Sequence, residues 1–336
     1  MKTQKSSLET PHFPVMLSEI IKISSPKEGG LFIDCTFGGG GYSKEILKFK
    51  KTNVIAIDRD ESVVSIGKKF EKKFYKRFKF IKSKFSQINT IVNGYVDIII
   101  FDLGISSIQI NDLKRGFSFK SKDKLDMSMG LSNISAQDVV NNLSESQLKL
   151  IIKVLGEERE AAIIAKNIVK ARIQKKITTA NELVRIIEKS KKKNFYNKIN
   201  PSTKTFQALR IFVNKEISEL INGIINATKI LKPGGKILIV SFHSIEDKII
   251  KYFFRNFSKN KSKPSRYFPE NNEENLVLFE DYSNKVIRPS KNELIKNKPS
   301  RSAKLRFATR SQNEFSFPSN LIKKFNKYLK IEGIHV

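Results

Sequence analysis

The segment 31–60 constrains the fold of this chain more than any other part of its sequence. A short apolar run ends in Asp34, four consecutive glycines follow at 38–41, and a second apolar run ends in Asp58. This order predicts a strand, a glycine turn, a helix over 43–49 and a second strand. Glycines let the backbone approach a ligand closely, and a helix N-terminus offers free N–H groups and a partial positive charge. The segment therefore predicts a site for a cofactor that contains a nucleoside.

Two further patterns bear on which cofactor this site would bind. Asp58 follows the glycines by about 20 residues, a position that suits an acid bound to a ribose diol. The dinucleotide fingerprint G-x-G-x-x-G is incomplete, because Ser43 stands where the last glycine would be. A Pro-Gly-Gly turn at 233–235 leads into an apolar run, which resembles the fifth-strand entry of S-adenosylmethionine-dependent methyltransferases. Methyl transfer is therefore favoured over hydride transfer, although many α/β folds use such glycines as a plain tight turn.

The composition excludes several other classes of protein. The 336 residues, 39% of them hydrophobic, suffice for one large domain or two domains with a sizeable core. No apolar run approaches the roughly 18 residues of a membrane span. Residues 1–14 lack the apolar core of a secretory signal, so we expect a cytoplasmic protein. Cys35 is the only cysteine and there are three histidines, so we expect no intramolecular disulfide and no metal site.

The net charge of +30 predicts a polyanionic partner, because neutralised phosphates supply much of nucleic-acid affinity. The alternative is compositional, since a chain rich in Lys, Ile, Asn and Phe is typical of an AT-rich genome and lysines accumulate on solvated faces. The densest basic cluster, 68–84, contains Phe70, Phe74 and Phe78 at helical spacing. This spacing indicates a buried stripe rather than platforms that stack on bases.

Strand and helix patterns alternate over the first third of the chain. Three of the predicted strands end in an acid, at Asp34, Asp58 and Asp102. The alternation predicts a parallel sheet with helices on both faces, and ligands of such sheets bind at the carboxyl ends of the strands. The predicted strands span residues 31–34, 54–58, 79–82 and 96–102.

Beyond Asp102 the pattern becomes helical for about 50 residues. Ser135, Ser144 and Thr179 precede helical runs and suit the N-cap position, where a hydroxyl accepts a hydrogen bond from a backbone N–H. The predicted helices span residues 136–143, 145–155, 158–174 and 180–189.

A helical block inside an α/β pattern predicts an inserted domain. We expect a methyltransferase domain in two parts, 1–111 and 206–336, with a helical substrate-recognition domain at 112–205 that roofs the site. Near 255–300 the chain is rich in Lys, Asn, Ser and Pro and predicts a basic loop. A short closing strand is expected at 304–309.

Short motifs occur in order along nearly the whole chain. They are HFPVML (12–17), DCTFGGGGYS (34–43), AIDRD (56–60), FDLGISS (101–107), RGFSF (115–119), LDM (125–127), GEER (156–159), TFQALRI (205–211), SFHSIED (241–247) and SRS (300–302). With them the chain resembles the RsmH (MraW) family of bacterial 16S ribosomal RNA cytosine-N4 methyltransferases. The resemblance implies an α/β fold with a Rossmann-like, S-adenosylmethionine-dependent methyltransferase sheet and an inserted helical domain.

The resemblance also implies a set of cofactor contacts. Asp58 would accept hydrogen bonds from the ribose hydroxyls, and Phe85 would offer an apolar face to adenine unless it is an ordinary core residue. The chain departs from the family at three positions: it has Tyr42 where the family usually has His, Gly39 where the family often has Arg, and Ile108 where the family usually has Pro. The implied S-adenosylmethionine contacts are Asp34, Gly40, Gly41, Tyr42, Asp58, Phe85, Asp102 and Gln109.

The implied reaction is a direct transfer to an amine. A cytosine C5 methyltransferase needs a thiolate, and Cys35 has no Pro-Cys context, so we interpret it as structural. We expect Asp102 to orient the amine, with His243 or Asp247 helping to position or deprotonate it. The alternatives are a strand-end cap for Asp102 and a structural role for His243. Specificity for N4 rests on the resemblance, because the Asn/Asp-Pro-Pro-aromatic motif of DNA amino-methyltransferases is missing after Asp102.

The implied partner is 16S rRNA or the small ribosomal subunit, whose target base would have to leave its stack. Arg210, Arg301 and the basic loop are the candidates for phosphate contacts. The sequence leaves the oligomeric state open, with a homodimer as one option. Two alternatives are a methyltransferase of another RNA, a protein or a small molecule, and a non-enzymatic RNA-binding protein. The retained Gly40, Gly41 and Asp58 argue against the second.

Overall fold

The computed structural model describes residues 14–191, 200–259 and 276–336. Within these ranges, seven strands form one sheet, in the order β3-β2-β1-β4-β5-β7-β6. Strands β1 to β5 run parallel, whereas β7 runs antiparallel to β5 and β6. The strands are β1 (Gly30–Asp34), β2 (Thr52–Asp58), β3 (Phe78–Lys82), β4 (Val96–Asp102), β5 (Leu231–Ser241), β6 (Phe279–Tyr282) and β7 (Lys304–Arg310).

The helices cover both faces of this sheet, so the predicted Rossmann-like α/β fold is confirmed. None of the described helices is both long and apolar enough to cross a membrane. The helices are α1 (Leu17–Ser24), α2 (Gly41–Ile46), α3 (Val64–Lys73), α4 (Ile88–Ile91), α5 (Ser107–Asn111), α6 (Ala136–Asn142), α7 (Glu145–Leu155), α8 (Ala161–Gln174), α9 (Ala180–Ser190), α10 (Thr203–Asn214), α11 (Glu216–Ile230), α12 (Ser244–Asn256), α13 (Lys291–Lys296) and α14 (Ser319–Glu332).

The strand order creates a switch point between β1 and β4. From β1 the chain moves outward through β2 and β3, then returns to the other side of β1 as β4 and continues to β5. At such a point the connections leave the sheet in opposite directions and open a crevice at the carboxyl ends of the strands. The fold therefore brings the ends of β1, β2 and β4 to one crevice.

The predicted helical block corresponds to α6–α9. The side chains of Ser135, Ser144 and Thr179 accept the expected capping hydrogen bonds, from the backbone N–H groups three residues on. The apolar residues of these helices share one core with the sheet and with α10 and α11. The predicted boundary at 205 falls inside α10, because this helix continues the packing of the block.

Two predictions about local structure were wrong in part. Helix α3 carries Phe70, but Phe78 belongs to β3, and the two rings meet at 5.4 Å in the core beneath the glycine turn. The predicted basic loop contains β6 and α13. These two elements are short and largely polar, so their sequences show no clear apolar periodicity. Residues 260–275 of that loop and the first residues of the motif at 12–17 lie outside the described ranges.

Candidate cofactor and substrate site

A cavity of about 540 Å³ occupies the crevice at the switch point. Its wall includes residues from the ends of β1, β2 and β4, from the start of α11, and from the segment around α13. Six of the predicted cofactor contacts line it: Gly41, Tyr42, Asp58, Phe85, Asp102 and Gln109. Its volume lies within the range of 300–1,000 Å³ that is typical of small-molecule sites.

The glycine turn combines a close approach with a fixed geometry. The backbone N–H of Gly38 donates to Asp58 Oδ2 at 2.8 Å, which ties the turn to the end of β2. Gly40 precedes α2 with a φ of +75°, and a Cβ there would lie 2.7 Å from the Phe70 ring and 2.8 Å from the Phe37 ring. Gly40 does not line the cavity. It shapes the turn, whereas Gly38, Gly39 and Gly41 form the wall.

Asp58 offers its carboxylate to the cavity and is also held in place. Its two oxygens accept hydrogen bonds from the N–H groups of Gly38 and Asp60, the latter at 2.9 Å. Burial raises the pKa of Asp58, while these backbone hydrogen bonds partly oppose the rise. A carboxylate has about four lone-pair sites, so Asp58 retains acceptor capacity for the two hydroxyls of a ribose.

Phe85 is half-buried at the cavity wall and is fixed from behind. It meets Phe101 edge to face with ring centroids 5.3 Å apart. Gly223 packs directly under its ring, where a Cβ would lie only 2.5 Å away. This packing holds the ring in one orientation and leaves it as an apolar surface of the cavity.

Asp102 ends β4 at the cavity, and its carboxylate is poorly solvated. The backbone N–H of Asp102 donates to Thr36 Oγ1 at 2.7 Å, while its buried Oδ1 has no hydrogen-bond partner in the described part of the chain. Burial, followed by the negative charge of Asp34, raises the pKa of Asp102 to about 8. The buried phenol of Tyr42, whose hydroxyl donates to the Val15 carbonyl, lies nearby and opposes part of this rise. Asp102 therefore combines an unsatisfied acceptor atom with a raised basicity.

Asp34 does not line the cavity, although we predicted a cofactor contact there. Its carboxylate is buried, accepts a 2.7 Å hydrogen bond from the Ser43 hydroxyl, and lies near the N–H of Thr36. Burial is the main reason why the pKa of Asp34 is raised to about 6. Its position links β1 to α2 and places a negative charge behind Asp102.

The sequence model of one protein family matches most of this chain. Residues 9–311 match the model described as the MraW methylase family. The chain belongs to the MraW methylase family. The family that the motifs predicted is thus confirmed, and S-adenosylmethionine is its cofactor. The glycine wall, Asp58 and the Phe85 ring fit this cofactor, because they offer backbone approach, a diol acceptor and an apolar face.

Relatives in the MraW family match this chain over most of their own length. A protein of Ehrlichia chaffeensis named ribosomal RNA small subunit methyltransferase H is 42% identical over 301 residues, which is 88% of this chain and 98% of the relative. Proteins with the same name from Parvibaculum lavamentivorans and Bartonella henselae are 39% and 38% identical, covering 90% and 98% of this chain and 90% and 95% of the relatives.

Gln109 joins the cofactor crevice of this MraW protein to the segment that enters the helical block. Its side chain and that of Ser106 cap the start of α5 reciprocally. Its Nε2 donates to Asp60 at 2.5 Å, and Arg115 forms an ion pair with the same carboxylate at 2.7 Å. Burial opposes ionisation of Asp60, but the hydrogen bonds from Gln109, Ser62 and Arg115 keep its pKa below the ordinary value.

Neither His243 nor Asp247 lines the cavity, so the structure brings only Asp102 of the predicted catalytic set to the site. The Asp247 carboxylate forms ion pairs with Lys304 at 2.9 Å and Arg306 at 2.8 Å, which join α12 to β7. We therefore omit Asp247 from the catalytic set. His243 Nε2 lies 3.1 Å from the Glu246 carboxylate, so its action on a substrate would be indirect.

Glu246 is a cavity residue that the sequence reasoning missed. Its buried carboxylate accepts hydrogen bonds from the N–H groups of Phe242 at 2.9 Å and His243 at 3.3 Å. Burial would raise its pKa, yet the neighbouring His243 and these N–H groups hold it below the ordinary range. The spacing of three residues between His243 and Glu246 at a helix start was the available signal.

A second acid, Glu216, lines the cavity beside Glu246 and changes the interpretation of Arg210. The guanidinium of Arg210 binds both oxygens of Glu216, at 2.8 and 2.9 Å, so the predicted contact of Arg210 with RNA phosphate is not supported. Ligand atoms of Glu216, His243 and Glu246 lie within 4.8 Å of one another, the spacing of a possible metal site. Because Arg210 already neutralises Glu216, we interpret the group as an ion-pair network. Arg301 is exposed.

Proposed function

We propose that this protein transfers a methyl group from S-adenosylmethionine to the exocyclic N4 amine of a cytidine in the decoding region of 16S rRNA. The names of the MraW relatives support an rRNA of the small subunit as the substrate. The net charge of +30 supports the same class of partner. We include in the proposal that the protein acts in the cytoplasm on rRNA or on an assembled small subunit, and that the helical block at 112–205 helps to bind it.

The observation that carries this proposal is the Asp102 carboxylate, whose Oδ1 is buried beside the cavity without a described partner. An unpaired buried acceptor is costly, so a donor on the bound substrate would restore the missing hydrogen bond. The amino group of cytosine is such a donor. Its nitrogen is a weak nucleophile because the lone pair is delocalised into the ring, so alignment against a reactive carbon is the main requirement.

Each residue of the site has a distinct part in the proposed mechanism. When bound, S-adenosylmethionine supplies an activated methyl group. Asp58 holds the ribose hydroxyls, and Phe85 packs against the adenine. Asp102 accepts a hydrogen bond from the amine and takes up the proton that the nitrogen loses, a step that its raised pKa favours. His243 acts as a positioning residue that fixes Glu246 at the cavity wall.

Labelled nucleosides test this function directly. The purified protein is incubated with methyl-labelled S-adenosylmethionine and either unmodified small ribosomal subunits or free 16S rRNA, and the digested RNA is analysed by mass spectrometry. We expect label in N4-methylcytidine at a single site, with Asp102→Asn reducing the single-turnover rate by about 100-fold or more. Asp281→Asn, a change of an exposed acid on β6, is the matched control and should retain the wild-type rate.

Other outcomes would assign the site differently. Label in a different nucleoside would preserve the cofactor site and refute the cytidine amine as acceptor. Tight binding of S-adenosylmethionine without label in either RNA substrate would refute rRNA as the substrate and favour the alternative of a protein or small-molecule acceptor. Equal rates for Asp102→Asn and the wild type would refute the role of Asp102 and leave the substrate assignment intact.

A further inference from the structure

Two exposed isoleucines form part of the cavity wall. Ile110, on α5, is 40% exposed, and Ile295, on α13, is 76% exposed. Single exposed apolar side chains are common on protein surfaces and need no explanation by themselves. These two differ because they come from distant parts of the chain and meet the same cavity, where they would contact whatever enters it.

Hydrogen bonds hold helix α13, which carries Ile295, in place beside the cavity. The Ser290 hydroxyl caps the start of α13 by accepting a hydrogen bond from the N–H of Glu293 at 3.2 Å. The Glu293 side chain accepts a 2.7 Å hydrogen bond from the N–H of Met16, and its carbonyl accepts one from the N–H of Asn297 at 2.7 Å. Glu293 therefore joins α13 to the start of α1, and Ile295 of the same helix lines the cavity.

The surroundings of Ile295 are strongly basic. Residues 291–302 contain four exposed cations, Lys291, Lys296, Lys298 and Arg301, against the single acid Glu293. Lys296 and Lys298 also line the cavity. An apolar side chain between cations complements a nucleic-acid strand, whose phosphates attract the cations while its base faces offer apolar surface.

We propose that Ile110 and Ile295 form an apolar rim that packs against the bases adjacent to the target nucleotide in structured RNA. The inference deepens the proposed function and rests on it. A target base that enters the cavity leaves its neighbours unstacked, which costs free energy. Apolar side chains placed against those neighbours replace part of the lost stacking, as inserted apolar side chains do in proteins that unstack nucleic-acid steps. The cations on either side hold the strand at the rim.

The test compares two RNA substrates that differ only in stacking of the target. One is a hairpin that contains the target cytidine within its folded structure, and the other carries the same target strand without its complement. For Ile295→Ala and Ile110→Ala we expect kcat/KM to fall by roughly tenfold with the hairpin and to stay within about twofold with the unpaired strand. Ile295→Leu, which keeps the apolar volume, should restore most of the hairpin rate.

Ile173→Ala is the matched control, because Ile173 is 79% exposed on α8 and does not line the cavity. It should leave the ratio of the two rates unchanged.

A 2-aminopurine next to the target provides a direct readout, since its fluorescence rises on unstacking. Ile295→Ala should reduce that rise in the enzyme complex. If kcat/KM of the two alanine variants falls equally with both RNAs, or does not fall with the hairpin, the proposed apolar rim is refuted. If the wild-type protein binds S-adenosylmethionine but methylates neither these RNAs nor small ribosomal subunits, the failure lies in the proposed function instead.

Discussion

The guanidinium of Arg115 lies 2.7 Å from the carboxylate of Asp60, and this ion pair joins the end of β2 to the segment that leads into the helical block. Arg115 also donates to the carbonyl of Ser128 at 2.6 Å and stacks over the Phe117 ring at 5.3 Å. The side chain of Asp60 is buried, so its charge depends on this partner and on Gln109. The wall of the cofactor crevice and the helical block are therefore coupled through one carboxylate.

Removal of the guanidinium should destabilise both the fold and the cofactor site. Arg115→Ala leaves the Asp60 carboxylate buried without its ion-pair partner, and we expect the free energy of unfolding to fall by about 2–4 kcal/mol. The dissociation constant for S-adenosylmethionine should rise as well. Urea denaturation and calorimetric titration measure the two effects. The double variant with Asp60→Asn should recover part of the stability, and a purely additive loss would contradict the coupling.

Asp102 should reduce stability at neutral pH. Its folded pKa of about 8 lies above the ordinary value of 3.8, so between these values the folded state binds the proton more tightly than the unfolded state does. Stability contributed by Asp102 is therefore full at low pH and declines as the pH rises through this window. Asp102→Asn should raise the free energy of unfolding at pH 7 by about 1–3 kcal/mol, although it lowers the rate of methylation. Chemical denaturation of the wild type and Asp102→Asn at pH 5 and pH 7 measures this difference in unfolding free energy. A stabilisation that is larger at pH 5 than at pH 7 would show that ionisation of Asp102 is not its cause.

The reaction rate should depend on the same ionisation. The ionised carboxylate accepts the hydrogen bond, so the single-turnover rate should rise with pH and reach a plateau at high pH. The apparent pKa of this rise should be at or below about 8. The charge of Asp34 contributes to the raised pKa of Asp102, so Asp34→Asn should move this limb to lower pH. Rates measured from pH 5.5 to 9 with a fixed salt concentration check the shift. If the apparent pKa of the rate is the same in Asp34→Asn as in the wild type, ionisation of Asp102 does not cause the pH dependence.

Sequence patterns predicted the sheet and its acids well, because each depends on local chemistry. The strand β4 was predicted with the observed bounds, since it is a continuous apolar run that ends in Asp102. Ser144 and Thr179 were predictable as caps because a hydroxyl just before a helical run can accept a hydrogen bond from an N–H group of the first turn. The side-chain partners were harder to predict, since they depend on contacts between distant segments.

The catalytic candidates show where local reasoning fails. His243, Glu246 and Asp247 are close in sequence, but helix geometry directs their side chains to different neighbours. Asp247 reaches the cations of β7, whereas Glu246 enters the cavity wall. The three-residue spacing of His243 and Glu246 indicates the start of a helix, but it does not show that the Glu246 carboxylate meets the cavity. The partner of Arg210 was missed for a related reason, because Glu216 begins the next helix and its direction depends on the turn between α10 and α11.

Two glycines with nearly equal φ angles show two separate reasons why a position can require glycine. Gly40 has a φ of +75° and Gly234 a φ of +77°, so alanine is strained at both positions. A Cβ at Gly40 would also strike the rings of Phe37 and Phe70, whereas nothing lies within 4 Å of a Cβ at Gly234. We expect Gly234→Ala to cost about 1 kcal/mol of unfolding free energy and Gly40→Ala about 2–4 kcal/mol.

The affinity for S-adenosylmethionine should separate the two variants further. Gly40 lies between the cavity-lining Gly39 and Gly41, so a displaced turn at Gly40 would disturb the glycine wall and raise the dissociation constant by roughly tenfold or more. Gly234→Ala should bind the cofactor as the wild type does, because Gly234 lies in an irregular stretch near the start of β5, at the opposite end of this strand from the cavity. Chemical denaturation and equilibrium binding distinguish the cases. Equal stability losses in the two variants would show that the backbone angle alone matters and that the aromatic rings under Gly40 can move aside.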